Sequence, residues 1–252
     1  MRHPVLLIRS EGNDTDAESL TALGIDSIDD PYVRIAPVGD SMMAHMLVEQ
    51  LRERADDQTW FMVTSPMTIP ALIELVGEHV LREAVAAGVS RGVHAAATGE
   101  RTARTLRDLG FADVMVPMVS SAKALVEELA DLPPARAIFP CGNLALDTLP
   151  DGLRQLGWHL AQVVVYETST VEQEPMSVEL IRRCEISAIV LRSPSAARAL
   201  VHFIAPPIPM PVICAGSTTA EAARELGLDV VAVAASPGAD DVAAAVAKVL
   251  NA

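Results

Sequence analysis

Short apolar runs, rich in Val, Ile and Ala, alternate with helical segments along almost the whole chain. Apolar runs without alternating polar residues are typical of strands that are buried on both faces. Strands separated by helices favour β-α-β units, which build parallel sheets. The pattern predicts strands at Val5–Ile8, Trp60–Val63, His94–Ala97, Val114–Val116, Ala137–Phe139, Ala188–Leu191, Val212–Ala215 and Val230–Val233. The chain is therefore expected to be an α/β protein.

Two extended segments interrupt this alternation. Pro31–Pro37 is bounded by prolines, and Gln162–Thr168 is a β-branched run with no helix directly after it. If the two segments pair, the chain leaves one lobe after its first β-α unit, builds a second lobe and then returns. The predicted first lobe is discontinuous and the second is continuous: residues 1–34 with 168–252, and residues 38–162, with residues 35–37 and 163–167 as connectors.

Two motifs occur once in each predicted lobe, always between a strand and a helix. Thr64–Pro66 resembles Arg192–Pro194, since each contains Ser-Pro. Gly99–Ala103 resembles Gly216–Ala220, since each reads Gly-x-x-Thr-Ala. Two copies are too few for a solenoid, but the repetition in the same order indicates two similar lobes.

The hydroxyl residues of these motifs allow two interpretations. Ser or Thr at a helix start can cap the helix by accepting a hydrogen bond from its first turn. Alternatively, the free N–H groups of a helix start, together with nearby hydroxyls, form an anion site that needs no Lys or Arg. Both interpretations remain open at this point. The second reconciles an anionic ligand with a net charge of −14.

Composition and residue spacing disfavour several classes of function. The negative charge argues against a nucleic-acid or anionic membrane surface, because such surfaces need basic patches. The three cysteines and six histidines lack the spacing of metal ligands, and no stretch approaches the roughly 18 apolar residues of a membrane span.

Met42, Met43 and Met46 have helical spacing that predicts packing in the core. The chain is expected to be cytoplasmic.

The ordered set of motifs resembles the uroporphyrinogen-III synthase family. The resemblance covers essentially the whole chain and rests on Arg9-Ser10, Thr64–Pro66, Gly99–Ala103, Val165–Thr168, Ser193–Ser195 and Gly216–Ala220. It implies two flavodoxin-like lobes with parallel sheets, joined by a two-stranded β ladder, with the active site in the cleft between them. It also implies closure of the linear tetrapyrrole hydroxymethylbilane, with inversion of its last pyrrole ring and loss of water.

The resemblance implies no metal and no organic cofactor. The one partner that it implies is the small-molecule tetrapyrrole, without nucleic acid or membrane. We expect a monomer, since no long exposed apolar seam is evident in the sequence. Neither a Walker loop nor a GxGxxG fingerprint is present in the sequence, which agrees with the expected absence of a nucleotide cofactor.

Tyr166 is the expected proton donor. It is one of only two tyrosines, and the resemblance places it where a phenol assists departure of the substrate hydroxyl. The alternative is a strand tyrosine that serves packing alone. The resemblance and the motif positions make the following residues candidates for substrate binding: Arg9, Ser65, Thr102, Arg192, Ser193, Ser195, Thr218 and Thr219. For the two arginines, an ordinary surface role remains the open alternative.

Two rival functions remain. The first is a synthase-like small-molecule-binding or regulatory module without catalysis. Regulators of that type often carry an appended DNA-binding domain, for which no residues are expected to remain here. The presence of Tyr166, Thr102 and Thr219 favours the enzyme. The second is a periplasmic-type ligand-binding protein, for which no export signal is evident.

Overall fold

Extended and helical segments alternate in the computed structural model, which describes residues 3–10, 13–54 and 56–251. Residues 1, 2, 11, 12 and 252 of the predicted first lobe, and residue 55 of the second, lie outside the described residues. The strands are β1 (Val5–Leu7), β2 (Ser27–Asp29), β3 (Val33–Pro37), β4 (Thr59–Val63), β5 (His94–Ala97), β6 (Arg136–Gly142), β7 (His159–Thr170), β8 (Ala188–Leu191), β9 (Val212–Cys214) and β10 (Val230–Val233).

The helices fall between these strands. They are α1 (Asn13–Ala22), α2 (Met42–Glu49), α3 (Thr68–Val76), α4 (Glu78–Ser90), α5 (Glu100–Leu109), α6 (Ala122–Leu129), α7 (Thr148–Gln155), α8 (Ser177–Arg182), α9 (Pro194–Phe203), α10 (Ser217–Glu225) and α11 (Ala239–Leu250). A π-helical turn, Gln50–Arg54, continues α2.

The chain divides into two units. Unit 1 consists of Met1–Ile35 and Ser169–Ala252, and unit 2 of Ala36–Thr168. Both passages of the chain from one unit to the other lie within extended strands, the first in β3 and the second in β7.

Unit 1 contains a parallel sheet in the order β2-β1-β8-β9-β10. Its central strands are apolar throughout because both faces are covered by helices. On β1, Leu6 contributes to the hydrophobic cluster on one face, whereas Val5 and Leu7 contribute to the cluster on the other. Side chains alternate across a strand, so these three residues bind both helical layers to the sheet.

Unit 2 contains a five-stranded sheet in the order β3-β7-β6-β4-β5. The β6–β7, β4–β6 and β4–β5 pairs are parallel. The two extended segments predicted from the sequence are β3 and β7, and they are neighbours at the edge of this sheet. The strand predicted at Val114–Val116 is reduced to a single bridge between Met115 and Ala96 of β5.

These sheets confirm the predicted α/β class with two parallel-dominated sheets. The strand order of unit 1 is that of flavodoxin-like proteins, and unit 2 repeats it in β5-β4-β6-β7. In such sheets, ligands bind beyond the carboxyl ends of the strands, where the strand order reverses. The reversal lies between β1 and β8 in unit 1, and between β4 and β6 in unit 2.

Met42, Met43 and Met46 of α2 are exposed, so the expectation that they pack in the core is wrong. The buried face of α2 instead carries Ala44, Leu47 and Val48, which follow the same helical period. Separately, none of the helices in the described part of the chain has the length and apolarity of a membrane span.

Tyr32, next to the start of β3, is fully buried in unit 1. Its hydroxyl lies 3.0 Å from Ser177 Oγ, and its ring contacts Phe203 edge-on at a centroid distance of 5.7 Å. Burial raises the pKa of the Tyr32 phenol to about 12, with Ser177 opposing the rise and the Asp30 carboxylate adding to it.

This pKa predicts a loss of stability at high pH. Between pH 10, the usual phenol value, and about 12, the unfolded chain has released the Tyr32 proton while the folded chain retains it. The free energy of unfolding should therefore fall as pH rises through this interval, by at most about 1.4 kcal/mol per pH unit from this group. Urea unfolding at a series of pH values measures the slope. Tyr32→Phe should show a shallower slope, and an unchanged slope would contradict the assignment.

Candidate functional site

The carboxyl edge of the unit 2 sheet brings together residues that are far apart in the sequence. β4 ends at Val63 and leads into Thr64 and Ser65, whereas the neighbouring β6 ends at Gly142. These two strand ends flank the point at which the strand order reverses. Tyr166 on β7 pairs with Gly142, so the predicted proton donor lies at this same edge.

Tyr166 is buried, with 8% of its surface exposed. Its ring occupies the space in which a side chain at position 142 would lie. A Cβ atom on Gly142 would approach Tyr166 Cζ to 2.4 Å and its hydroxyl oxygen to 2.7 Å. Contacts of that length are far inside van der Waals distance, so this close approach requires glycine.

Asn143 secures β7 on the carboxyl side of this contact. Its backbone N–H donates to the Tyr166 carbonyl at 3.1 Å. Its side-chain Oδ1 accepts from the Thr168 N–H at 2.8 Å, and its Nδ2 donates to the Thr168 carbonyl at 3.3 Å. The register of the β6–β7 pairing shifts between Cys141 and Gly142. Beyond that shift, the side-chain amide of Asn143 makes the two hydrogen bonds to Thr168 that a paired backbone residue would otherwise make. Asn143 thereby holds the backbone at and beyond Tyr166.

The surroundings of the Tyr166 phenol favour its protonated form. Burial raises the pKa of the phenol; the hydroxyl of Ser65 opposes the rise, the nearby Cys141 thiol adds to it, and the hydroxyl of Thr68 opposes it. Burial also raises the pKa of the Cys141 thiol, which accepts from Gln162 Nε2 at 3.6 Å. At neutral pH the site therefore holds a neutral phenol beside a neutral thiol, and a neutral phenol can donate a proton.

Thr68, which the sequence analysis did not select, faces the phenol from the first residue of α3. It is fully buried, and its hydroxyl has no hydrogen bond of normal geometry among the described residues. Ser65, three residues earlier, accepts from the Met67 N–H at 3.3 Å. The sequence contains a signal for Thr68, since it lies three residues after Ser65 of the Ser-Pro motif, but helix starts commonly carry Thr for capping alone.

Thr102 lies in the same unit, on the first turn of α5. It is buried, and α5 begins after Gly99, which has no side chain with which to cap the helix. The preceding loop is tied to the loop after β4, because Thr98 Oγ1 donates to the Thr64 carbonyl at 3.1 Å. The Thr102 N–H donates to the Gly99 carbonyl at 3.1 Å, so the N–H groups of Glu100 and Arg101 are the ones in the first turn of α5 that are left for an acceptor such as a carboxylate.

In unit 1 the corresponding motifs differ in detail. Ser193 caps α9, since its Oγ accepts from the Ala196 N–H at 3.2 Å, and it also bonds Ser195 Oγ at 2.9 Å. Ser65 does not cap α3 in this way. α10 begins after Gly216 without a side-chain cap, with Thr219 buried and Thr218 exposed on its first turn.

Arg192 is engaged within unit 1. Its Nη1 donates to Asp16 Oδ1 at 3.0 Å, and its Nη2 donates to the Pro237 carbonyl. The Arg192 side chain is 12% exposed and that of Asp16 only 2%. This is a structural ion pair, whatever else the guanidinium contacts. Arg9, the other candidate arginine, is partly buried, and its carbonyl accepts from Asn13 Nδ2 at 2.8 Å.

Metal ligands are not grouped in the described ranges: no set of three or more His, Cys, Asp or Glu residues there is placed to hold a metal ion.

The chain is similar to proteins of tetrapyrrole biosynthesis. The profile of the family described as Uroporphyrinogen-III synthase HemD matches residues 14–244. A curated relative, the porphyrin biosynthesis protein HemD of Ruminiclostridium josui, is 22% identical over 223 residues, which cover 86% of this chain and 43% of the relative. The chain therefore spans less than half the length of that relative.

Solved structures show the same fold. A mutant uroporphyrinogen III synthase of Thermus thermophilus has a TM-score of 0.68 and 18% identity, with 99% of each chain covered. The uroporphyrinogen-III synthetase of Helicobacter pylori has a TM-score of 0.62 and 18% identity, with 99% of this chain and 100% of that chain covered.

The Arg192–Asp16 pair yields a stability prediction. Arg192→Met leaves the buried Asp16 carboxylate without its guanidinium partner, so we expect the free energy of unfolding to fall by about 3 kcal/mol. Arg198→Met is the matched control, because Arg198 is an exposed arginine of the same unit. Chemical denaturation at neutral pH measures both. Equal stability of the two variants would refute a structural role and favour Arg192 as a ligand contact.

Proposed function

Because the chain belongs to the uroporphyrinogen-III synthase family, we propose that it cyclises hydroxymethylbilane to uroporphyrinogen III, with inversion of the terminal pyrrole ring and loss of water. The observation that carries this proposal is the buried Tyr166 phenol, whose pKa is raised by burial and whose ring lies against Gly142, at the end of one of the two strands that flank the strand-order reversal of unit 2. That placement combines a proton donor with the usual ligand-binding edge of a parallel sheet.

The reaction begins with cleavage of the bond between the hydroxymethyl carbon and its oxygen. Tyr166 gives its proton to that oxygen, the oxygen leaves as water, and the substrate becomes an azafulvene cation while Tyr166 becomes a phenolate. An electron-rich pyrrole carbon then attacks the cation. When the attacking atom is the already substituted α-carbon of the terminal ring, a spiro intermediate forms, and the older bond from that carbon to the neighbouring methylene then breaks to leave a second azafulvene cation. The free α-carbon of the reversed ring attacks this cation and closes the macrocycle. The proton released when the pyrrole ring regains aromaticity restores the phenol, so protons balance over the cycle.

Holding the flexible substrate in a folded shape supplies the rest of the rate enhancement. The substrate bears several carboxylates, and a protein with a net charge of −14 needs local donors to bind them. The uncapped starts of α5 and α10 provide such donors, with Thr102 and Thr219 on their first turns. Thr218 is exposed beside the second of these, and Ser193 with Ser195 forms a hydroxyl pair at the start of α9.

Ser65 has a different place in this proposal, since its hydroxyl faces the Tyr166 phenol. Arg9, at the carboxyl end of β1, remains a candidate contact for a substrate carboxylate. Arg192 is the weaker candidate of the two, because Asp16 already neutralises much of its charge.

The decisive assay couples the purified protein to an enzymatic source of hydroxymethylbilane. The products are oxidised to porphyrins, and the type I and type III isomers are separated by chromatography. We expect type III to predominate. Type I alone is the product of spontaneous closure, and its exclusive formation would refute the catalytic proposal. If the protein then still bound tetrapyrrole tightly, the binding or regulatory module would be the supported alternative.

Tyr166→Phe tests the proton donor. The change removes only the hydroxyl, so kcat should fall by about 100-fold or more, as for loss of a general acid, while affinity for the product changes less than about twofold. Steady-state kinetics and product titration measure the two quantities. Tyr32→Phe, which alters the other tyrosine of the chain, serves as the control and should retain kcat. A Tyr166→Phe enzyme with the wild-type kcat would remove the proposed role.

A further inference from the structure

We propose that Thr68 and Gly142 are positioning residues for Tyr166: Gly142 provides the space for its ring, and Thr68, together with Ser65, donates hydrogen bonds to the phenolate that remains after proton transfer. This inference rests on the proposed role of Tyr166 as proton donor. It concerns residues that act through the tyrosine rather than on the substrate.

The ring position depends on the missing side chain at Gly142. The three atoms nearest to a Cβ there all belong to the hydroxyl end of Tyr166, at 2.4 to 2.7 Å. An ordinary contact is about 1 Å longer, so an alanine forces the phenol oxygen to move by a comparable distance. Asn143 limits where the tyrosine can go, because it hydrogen-bonds the Tyr166 carbonyl and both backbone groups of Thr168. A displacement of about 1 Å can lower a catalytic rate by about 100-fold.

Among the described residues, the buried Thr68 hydroxyl has no hydrogen bond of normal geometry, an arrangement that is unfavourable by about 1–3 kcal/mol in a folded protein. Its position next to the Tyr166 phenol explains how it is used. The neutral phenol has a single proton, which is directed to the substrate oxygen. Once that proton has left, the phenolate oxygen needs donors, and the hydroxyls of Thr68 and Ser65 face it. Groups that gain a partner only as charge develops lower the barrier rather than strengthen substrate binding.

The titratable group that faces Tyr166 in the described part of unit 2 is Cys141 on β6. α3 contributes Thr68 and the loop before it contributes Ser65, neither of which titrates near neutral pH. Burial raises the pKa of the Cys141 thiol, so the thiol stays neutral over the range in which the enzyme is assayed. In the alkaline range in which Tyr166 itself titrates, the Cys141 thiolate also raises its pKa, so the titrations are repeated in a Cys141→Ala background, where a change in the ionisation of Tyr166 is attributable to its hydroxyl neighbours.

The test reads the phenol directly in the intact, substrate-free protein. The chain has only two tyrosines, so tyrosine labelled with ¹³C at Cζ gives two NMR resonances, and Tyr166→Phe assigns them. Thr68→Val replaces the hydroxyl by a methyl group of the same shape. We expect it to raise the pKa of Tyr166 by about one unit, because the phenolate loses a donor, and to leave the pKa of Tyr32 unchanged. Thr68→Ser, which keeps the hydroxyl, should restore the wild-type pKa.

Kinetics supply the second readout. Thr68→Val should lower kcat by about tenfold with KM unchanged within about twofold, and Thr68→Ser should recover most of the loss. Thr148→Val is the matched control, since Thr148 is the exposed first residue of α7 as Thr68 is the buried first residue of α3. Gly142→Ala should lower kcat by about 100-fold, whereas Gly39→Ala, where a Cβ meets no atom within 4 Å, should not.

The outcomes separate this inference from the proposed function. If Thr68→Val shifts the pKa of Tyr166 but the wild-type protein forms no type III product, the hydrogen bond stands and the catalytic proposal fails. If type III product forms and Thr68→Val changes neither the pKa of Tyr166 nor kcat, the role of Thr68 is overturned. A fall in kcat without a pKa shift overturns the phenolate contact as well. Should Thr68→Val not fold, Thr68→Ala carries the same test, and Gly142→Ala tests the ring position separately.

Discussion

The pairing of β6 with β7 is the interaction on which the candidate site depends. Its register places Gly142 opposite Tyr166, after a shift that follows Cys141. Side chains alternate along a strand, so a slip of one residue would turn the phenol to the other face of the sheet. The register itself is held by the buried residues Ile138 and Phe139 and by the amide of Asn143. The position of the Tyr166 hydroxyl oxygen therefore depends on packing in the hydrophobic core of unit 2.

An acidic protein that is proposed to bind a polyanion must place its donors locally. The candidate donors are backbone N–H groups at helix starts rather than basic side chains. α5 and α10 each begin after a glycine, and each buries a threonine on its first turn. The two Ser-Pro motifs have diverged from that common plan: Ser193 caps its helix, whereas Ser65 is left to face Tyr166. The same Ser-Pro motif therefore caps a helix in unit 1 and places a hydroxyl next to Tyr166 in unit 2.

Sequence patterns predicted β4, β8 and β9 well because each consists mainly of a continuous apolar run, but they missed the short edge strand β2, and the strand predicted at Val114–Val116 is only a single bridge. They predicted side-chain surroundings poorly. The helical spacing of Met42, Met43 and Met46 fitted a buried stripe, but a second stripe of α2 with the same period faces the core. Arg192 followed a strand, as a ligand contact would, yet its partner Asp16 lies 176 positions away in the chain. No local pattern can report such a pairing.

The sequence by itself determined the α/β class, the two repeated motifs and the family, because these depend on residue type and order along the chain. Only the tertiary structure decided which residues surround the tyrosine. Gly142 and Asn143 reach Tyr166 through strand pairing, and Thr68 reaches it because α3 packs against β6. Those contacts join segments of three different β-α units, and their distances follow from the packing of the core rather than from any neighbouring residue.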